Sequence, residues 1–69
     1  MKLWECTYTL TGKRTRERWV DYWSGTDAIS VHTIERFWHR INSDFVISDY
    51  ACHEIQSEPG KVYHSTIVQ

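Results

Sequence analysis

The chain has 69 residues, with ten aromatics (four Trp, four Tyr, two Phe) against three Gly and one Pro, and eight Lys plus Arg against nine Asp plus Glu for a net charge of −1. That composition excludes a disordered segment or linker, a uniformly cationic nucleic-acid binder and, with no apolar run near the roughly 18 residues a span needs, a transmembrane helix. A domain this small buries only about 60% of its unfolded surface, which leaves little room to enclose a deep active site.

Lys2 to Thr11 alternates, with Trp4, Cys6, Tyr8 and Leu10 on one side and Leu3, Glu5, Thr7 and Thr9 on the other. Period two with Thr, Tyr and Trp enriched predicts a half-buried strand. Gly12-Lys13-Arg14 supplies a turn, and a second strand follows from Arg16 to Ser24. A two-residue loop would set Tyr8 opposite Glu17 and Trp4 opposite Asp21, mixing acids into the core face. A three-residue loop pairs Cys6 with Val20 and Trp4 with Tyr22 instead, and burial favours it, because a one-residue slip sends every side chain to the other face. This register places Trp19 and Trp23 on the opposite face, beside Leu3, Glu5, Glu17 and Asp21.

Ser24-Gly25-Thr26-Asp27 carries helix-start signals. From Asp27 to about Asn42 the apolar residues Val31, Ile34, Phe37, Trp38 and Ile41 share one stripe, and His32, Arg36, His39 and Arg40 share the other, where Ile29 finds no core to join. Phe45 to Gln56 predicts a third strand, with Phe45, Ile47, Ala51 and Ile55 on one parity. Glu58-Pro59-Gly60-Lys61 fits a type II turn, and Val62 to Val68 a returning strand that sets Ile55 opposite His64 and His53 diagonal to it. The expected fold is α+β, ββαββ, an antiparallel sheet of three or four strands packed on one helix in a single domain, residues 1–69. Trp4, Tyr8, Tyr22, Phe37, Trp38 and Phe45 are the expected core aromatics.

Chemistry-bearing patterns are sparse. Cys6, Cys52, His53 and His64 are zinc-ligand types, but the spacing lacks a C-x₂-C or H-x₃-H pair and adjacent Cys52 and His53 point to opposite faces of a strand. No nucleophile elbow, His-Glu-x-x-His or phosphate loop is present. The expectation is a non-enzyme with no catalytic residue, cofactor or metal, and with Cys6 and Cys52 as free thiols. Charge is the stronger signal: residues 1–18 carry a net +3 and residues 19–69 a net −4. Lys13, Arg14, Arg16 and Arg18 cluster at the hairpin, and with Arg36 and Arg40 on the helix they form the candidate nucleic-acid surface. Trp, Tyr and Arg also dominate protein–protein hot spots. Trp19, Asp21 and Trp23 flanked by Arg14, Arg16 and Arg18 form the candidate protein-docking face.

The run Trp4-x-Cys6-x-Tyr8, Arg18-Trp19-Val20-Asp21-Tyr22, then Thr26 to Ile41, resembles small phage-encoded host-takeover proteins in size and element order: inhibitors of host RNA polymerase, phage antitoxins and some anti-CRISPR proteins. The resemblance covers most of the chain without a diagnostic motif. It implies a non-catalytic protein that occludes a host protein or complex, in the cytoplasm of the host cell. Nucleic-acid binding through the hairpin and helix, and self-association as a homodimer, are the alternatives; no membrane partner is expected.

Overall fold

In the computed structural model, which describes residues 2–65, the alternating segments become β1 (Lys2–Thr11) and β2 (Arg16–Gly25), followed by α1 (Val31–Ile41) and β3 (Val46–Ile55). The fold is α+β: a three-stranded sheet of order β2-β1-β3, both neighbours antiparallel to β1, with the helix packed on one face. Two strands that run the same way on either side of β1 cannot be joined by a tight turn, and α1 supplies the crossover. Among the described residues the order is ββαβ, where ββαββ is expected. Residues 61–65 form no strand, and residues 66–68 of the expected fourth strand lie outside the described residues. His64 consequently does not face β3; its carbonyl accepts from the Tyr22 N–H at the free edge of β2, 3.1 Å away. The turn before it is as expected, with Lys61 N–H bonded to Glu58 O and Gly60 at φ 80°.

The hairpin register differs from expectation. Thr11 pairs with Arg16, Tyr8 with Trp19, Cys6 with Asp21 and Trp4 with Trp23, so Gly12 to Thr15 form a four-residue loop, closed by Gly12 N–H to Thr15 O at 2.8 Å. Trp19 and Trp23 therefore lie on the helix-covered face, packed against the core, and Val20 and Tyr22 lie on the other. The physical reason is a trade between two indoles and one acid. An unpaired buried carboxylate is costly, but Asp21, 4% exposed, accepts the Tyr8 hydroxyl at 2.7 Å. Glu17, the other acid on that face, stays exposed at its end and accepts from Trp19 Nε1 at 3.1 Å. With the acids satisfied, withdrawing two indoles from water decides the register, since each offers roughly 150–250 Å² to bury.

Cys6, Tyr8, Leu10, Ile29, Ile34 and Trp38 form the buried core. The helix starts four residues later than expected because Ser30 caps it, its side chain accepting from His32 N–H. That places Ile29 just outside the helix, where it packs with Ile34 as a hydrophobic staple instead of facing solvent. Ile41, expected on the buried stripe, ends the helix exposed. In β3 two residues, Asp49 and Tyr50, oppose the single Tyr8 between the pairs Thr9–Ser48 and Thr7–Ala51. This bulge, with Asp49 at φ 53°, switches the parity. Ile47, Tyr50 and Cys52 turn to the core, while Ala51 and Ile55 move to the face away from the helix. Among the described residues no helix is long and apolar enough to cross a membrane.

Candidate docking face

Only one face of the sheet is covered by the helix. Strand register orders the other face in rows, each with one side chain from β2, β1 and β3: Arg16–Thr11–Val46 at the hairpin end, then Arg18–Thr9–Ser48, Val20–Thr7–Ala51, Tyr22–Glu5–His53 and Ser24–Leu3–Ile55.

Two polar networks stitch these rows. Arg18 lies flat across β1, its Nη1 donating to Thr9 Oγ1 at 3.0 Å and to Asp49 O at 3.3 Å, and its Nη2 donating to Thr7 Oγ1 at 3.3 Å. Farther along, the Tyr22 hydroxyl donates to Glu5 Oε2 at 3.1 Å, and His53 Nε2 stands 3.4 Å from Glu5 Oε1. The hydrogen bond to Glu5 raises the Tyr22 phenol above its ordinary value. The segment after β3 packs on the Tyr22 end of this second network and leaves His53 exposed. Tyr63 meets Tyr22 edge to face at 5.0 Å, and its hydroxyl accepts from Glu58 N–H.

The hairpin half of the face has no such segment packed on it. Val20 and Val46 are 47% and 57% exposed there, next to Arg16 and Arg18. Sequence reasoning missed both valines, because Val20 had been given to the core and Val46 to no face. The signal was their β-branched character at positions alternating with core residues, which becomes readable only once the register is known.

The candidate site residues divide accordingly. Trp19, Asp21 and Trp23 are removed from the docking face: Trp19 stacks edge to face on Trp38 at 4.9 Å, Asp21 is buried against Tyr8, and Trp23 packs on the core. The cations come together. The hairpin loop meets the turn after α1, where Lys13 Nζ lies 3.4 Å from Asp44 Oδ2. Lys13, Arg14, Arg16, Arg18 and Arg40 thus share one end of a molecule 39 Å long, against Glu17, Asp44 and Asp49, with Arg36 one helical turn before Arg40. The far end carries Lys2 and Lys61 against Glu5, Asp27, Glu54 and Glu58. The asymmetry in the sequence has become a polarity along the long axis. Arg14, Arg16, Arg36 and Arg40 are exposed, and their side chains form no hydrogen bond or ion pair among the described residues.

Cys6 and Cys52 face each other on the helix side, with both thiols free, while His53 lies on the open side. Among the described residues no three His, Cys, Asp or Glu side chains cluster as metal ligands. No family model, curated protein or solved structure matches the chain.

Proposed function

We infer that this chain is a small non-catalytic binding protein that docks on an acidic, partly apolar surface of a host protein and thereby inhibits or modulates it. The observation that carries the reading is the uncovered hairpin half of the sheet, where Arg16 and Arg18 stand beside the exposed Val20 and Val46 and Arg14 lies in the loop beyond them. Arg18 is already fixed by its bonds to β1 and β3, so it loses little side-chain freedom on contact. Cations beside apolar side chains suit a protein surface, where the apolar part is desolvated and the charges steer approach.

The test is capture from a host lysate, with and without nuclease, by the wild-type chain and by two variants, Arg14→Glu/Arg16→Glu and Val20→Asp. A protein captured by the wild type, lost with either variant and indifferent to nuclease is the expected result. Capture that both folded variants retain would sink the reading.

Nucleic-acid binding is the second reading, and one observation favours it: Glu17 and Asp21 turn to the helix side, so neither opposes a phosphate backbone at Arg16 and Arg18. It requires a gel shift with DNA or RNA at low salt that weakens steeply as salt rises and disappears in Arg14→Glu/Arg16→Glu.

A further inference from the structure

Cys6 and Cys52 occupy directly opposite positions on β1 and β3. The pattern of backbone bonds identifies what kind of pair they form. The Tyr22 N–H points outward from β2 to His64 O, so Tyr22 makes no ladder bond to Glu5, its partner on β1. In a strand the N–H and C=O of one residue point the same way, so those of Glu5 turn to β3 and bond His53. Pairs alternate along an antiparallel ladder, which makes the next one, Cys6–Cys52, a non-hydrogen-bonded pair. Such pairs hold their Cα atoms about 4.5 Å apart with side chains at closest approach, inside the roughly 4.4–6.8 Å window that a disulfide spans. Both side chains turn to the helix side of the sheet, and both are free thiols. Their exposure differs: Cys6 is 1% exposed and Cys52 is only half-buried.

We propose that Cys6 and Cys52 are a modification site, closing a reversible intrachain disulfide between β1 and β3 by exchange with a small disulfide such as oxidised glutathione. The accessible Cys52 gives up its proton and attacks one glutathione sulfur, forming a mixed disulfide and releasing one glutathione thiolate. Cys6, directly opposite on the neighbouring strand, then gives up its proton and attacks the Cys52 sulfur, expelling the second glutathione. The two protein thiols are oxidised by two electrons, and the glutathione disulfide is reduced to two thiols by the same two electrons and the two protons. Burial makes Cys6 poor at the first attack, whereas its place opposite Cys52 makes it effective in the second. The closed bond encloses residues 7–51, all of β2 and α1, and ties the edge strand β3 to the centre of the sheet. It stands independently of what the open face binds.

The folded chain is incubated with oxidised glutathione, quenched in acid, and read by intact mass and thiol counting after denaturation. The expected product has lost two hydrogens and both reactive thiols, runs as a monomer without reductant, melts several degrees higher because a long loop is closed, and reverts with reduced glutathione. Cys6→Ser should stop at a single glutathione adduct on Cys52, and Cys52→Ser should react far more slowly. Should Cys6→Ser fail to fold, Cys6→Ala supplies the same readout. Two thiols still free in the wild type, a persistent adduct on Cys52, a disulfide-linked dimer, or a crosslinked form that melts lower would each overturn the proposal.

Discussion

The two faces of one sheet are built by different rules, although β1 supplies alternate residues to both. On the helix side Cys6, Tyr8 and Leu10 are buried among aromatic rings, and Trp38 is the hub: Trp19, Phe37 and Phe45 each meet it edge to face at 4.9, 5.2 and 5.6 Å. Even the polar groups there are used up. Trp38 Nε1 donates to the Tyr8 hydroxyl, which donates to Asp21. On the open side cohesion comes from Arg18 across two threonines and from Tyr22 and His53 on Glu5, contacts that water can replace. Stability is concentrated on one face, leaving the other free to vary its side chains for a partner.

Removing the hub should break the covered face outright. Trp38→Ala takes away three ring contacts and the donor to Tyr8, and truncating a buried Trp costs about 3–5 kcal/mol. A domain of this length has about 3–10 kcal/mol in all. The expected outcome is a largely unfolded chain at 25 °C by near-ultraviolet circular dichroism. Trp38→Phe, which keeps a ring but loses the Nε1–H, should remain folded with a lower urea midpoint.

Tyr8→Phe is the next largest effect. It deletes only an oxygen, but Asp21 loses the Tyr8 hydroxyl and Trp38 Nε1 loses its acceptor, at about 1–3 kcal/mol for leaving a buried polar group short of a partner, read as a lower urea midpoint with an unchanged slope. The same hydroxyl makes stability sensitive to alkali. Burial, reinforced by the Asp21 carboxylate, holds the Tyr8 phenol above its ordinary 10.0, and burial, reinforced by Cys52, pushes the Cys6 thiol from 9.0 to about 12. A pKa raised by folding means the protonated form is the one stabilised. That contribution is intact below the unfolded value and lost as pH rises towards the folded one. Stability should therefore start to fall above pH 9 through Cys6 and steepen above pH 10 through Tyr8 and Tyr50, whose phenol is likewise held above its ordinary value by burial. Tyr8→Phe should reduce the second phase and leave the first.

The sequence made the strands, the helix and the Pro59-Gly60 turn legible, because these are set by local periodicity and local backbone preference. It misplaced what depends on distant partners. Asp21 reads as a surface residue until Tyr8 and Trp38, thirteen and seventeen positions away, are known to cover it. With Asp21 forced outward, Trp19 and Trp23 followed it and looked like a binding surface. The parity switch in β3 was hidden for a similar reason: Ile47 and Tyr50 are both core residues three apart, which strict alternation forbids and a bulge at Asp49 permits. The hairpin cations survive the change of register, since loop and strand-end charges are exposed in either one. Val20 and Val46 did not, and they are what tilts the candidate site towards a protein partner.

Adjacent residues of β2 that point to opposite faces should respond differently to substitution. Val20→Thr keeps the branched β-carbon that suits a strand and exchanges one methyl for a hydroxyl at a position already 47% exposed. Beside it stand Thr7 and Ala51, neither of which closes over it. Surface substitutions of this kind stay within about 0.5 kcal/mol, so the urea midpoint should hardly move. Trp19→Ala, one residue away in β2 but on the covered face, removes the edge-to-face contact with Trp38 and should lower the midpoint well beyond that margin. If adjacent residues 19 and 20 instead destabilise alike, Val20 is packed under something, and the hairpin half of the sheet is not the open surface on which the docking reading depends.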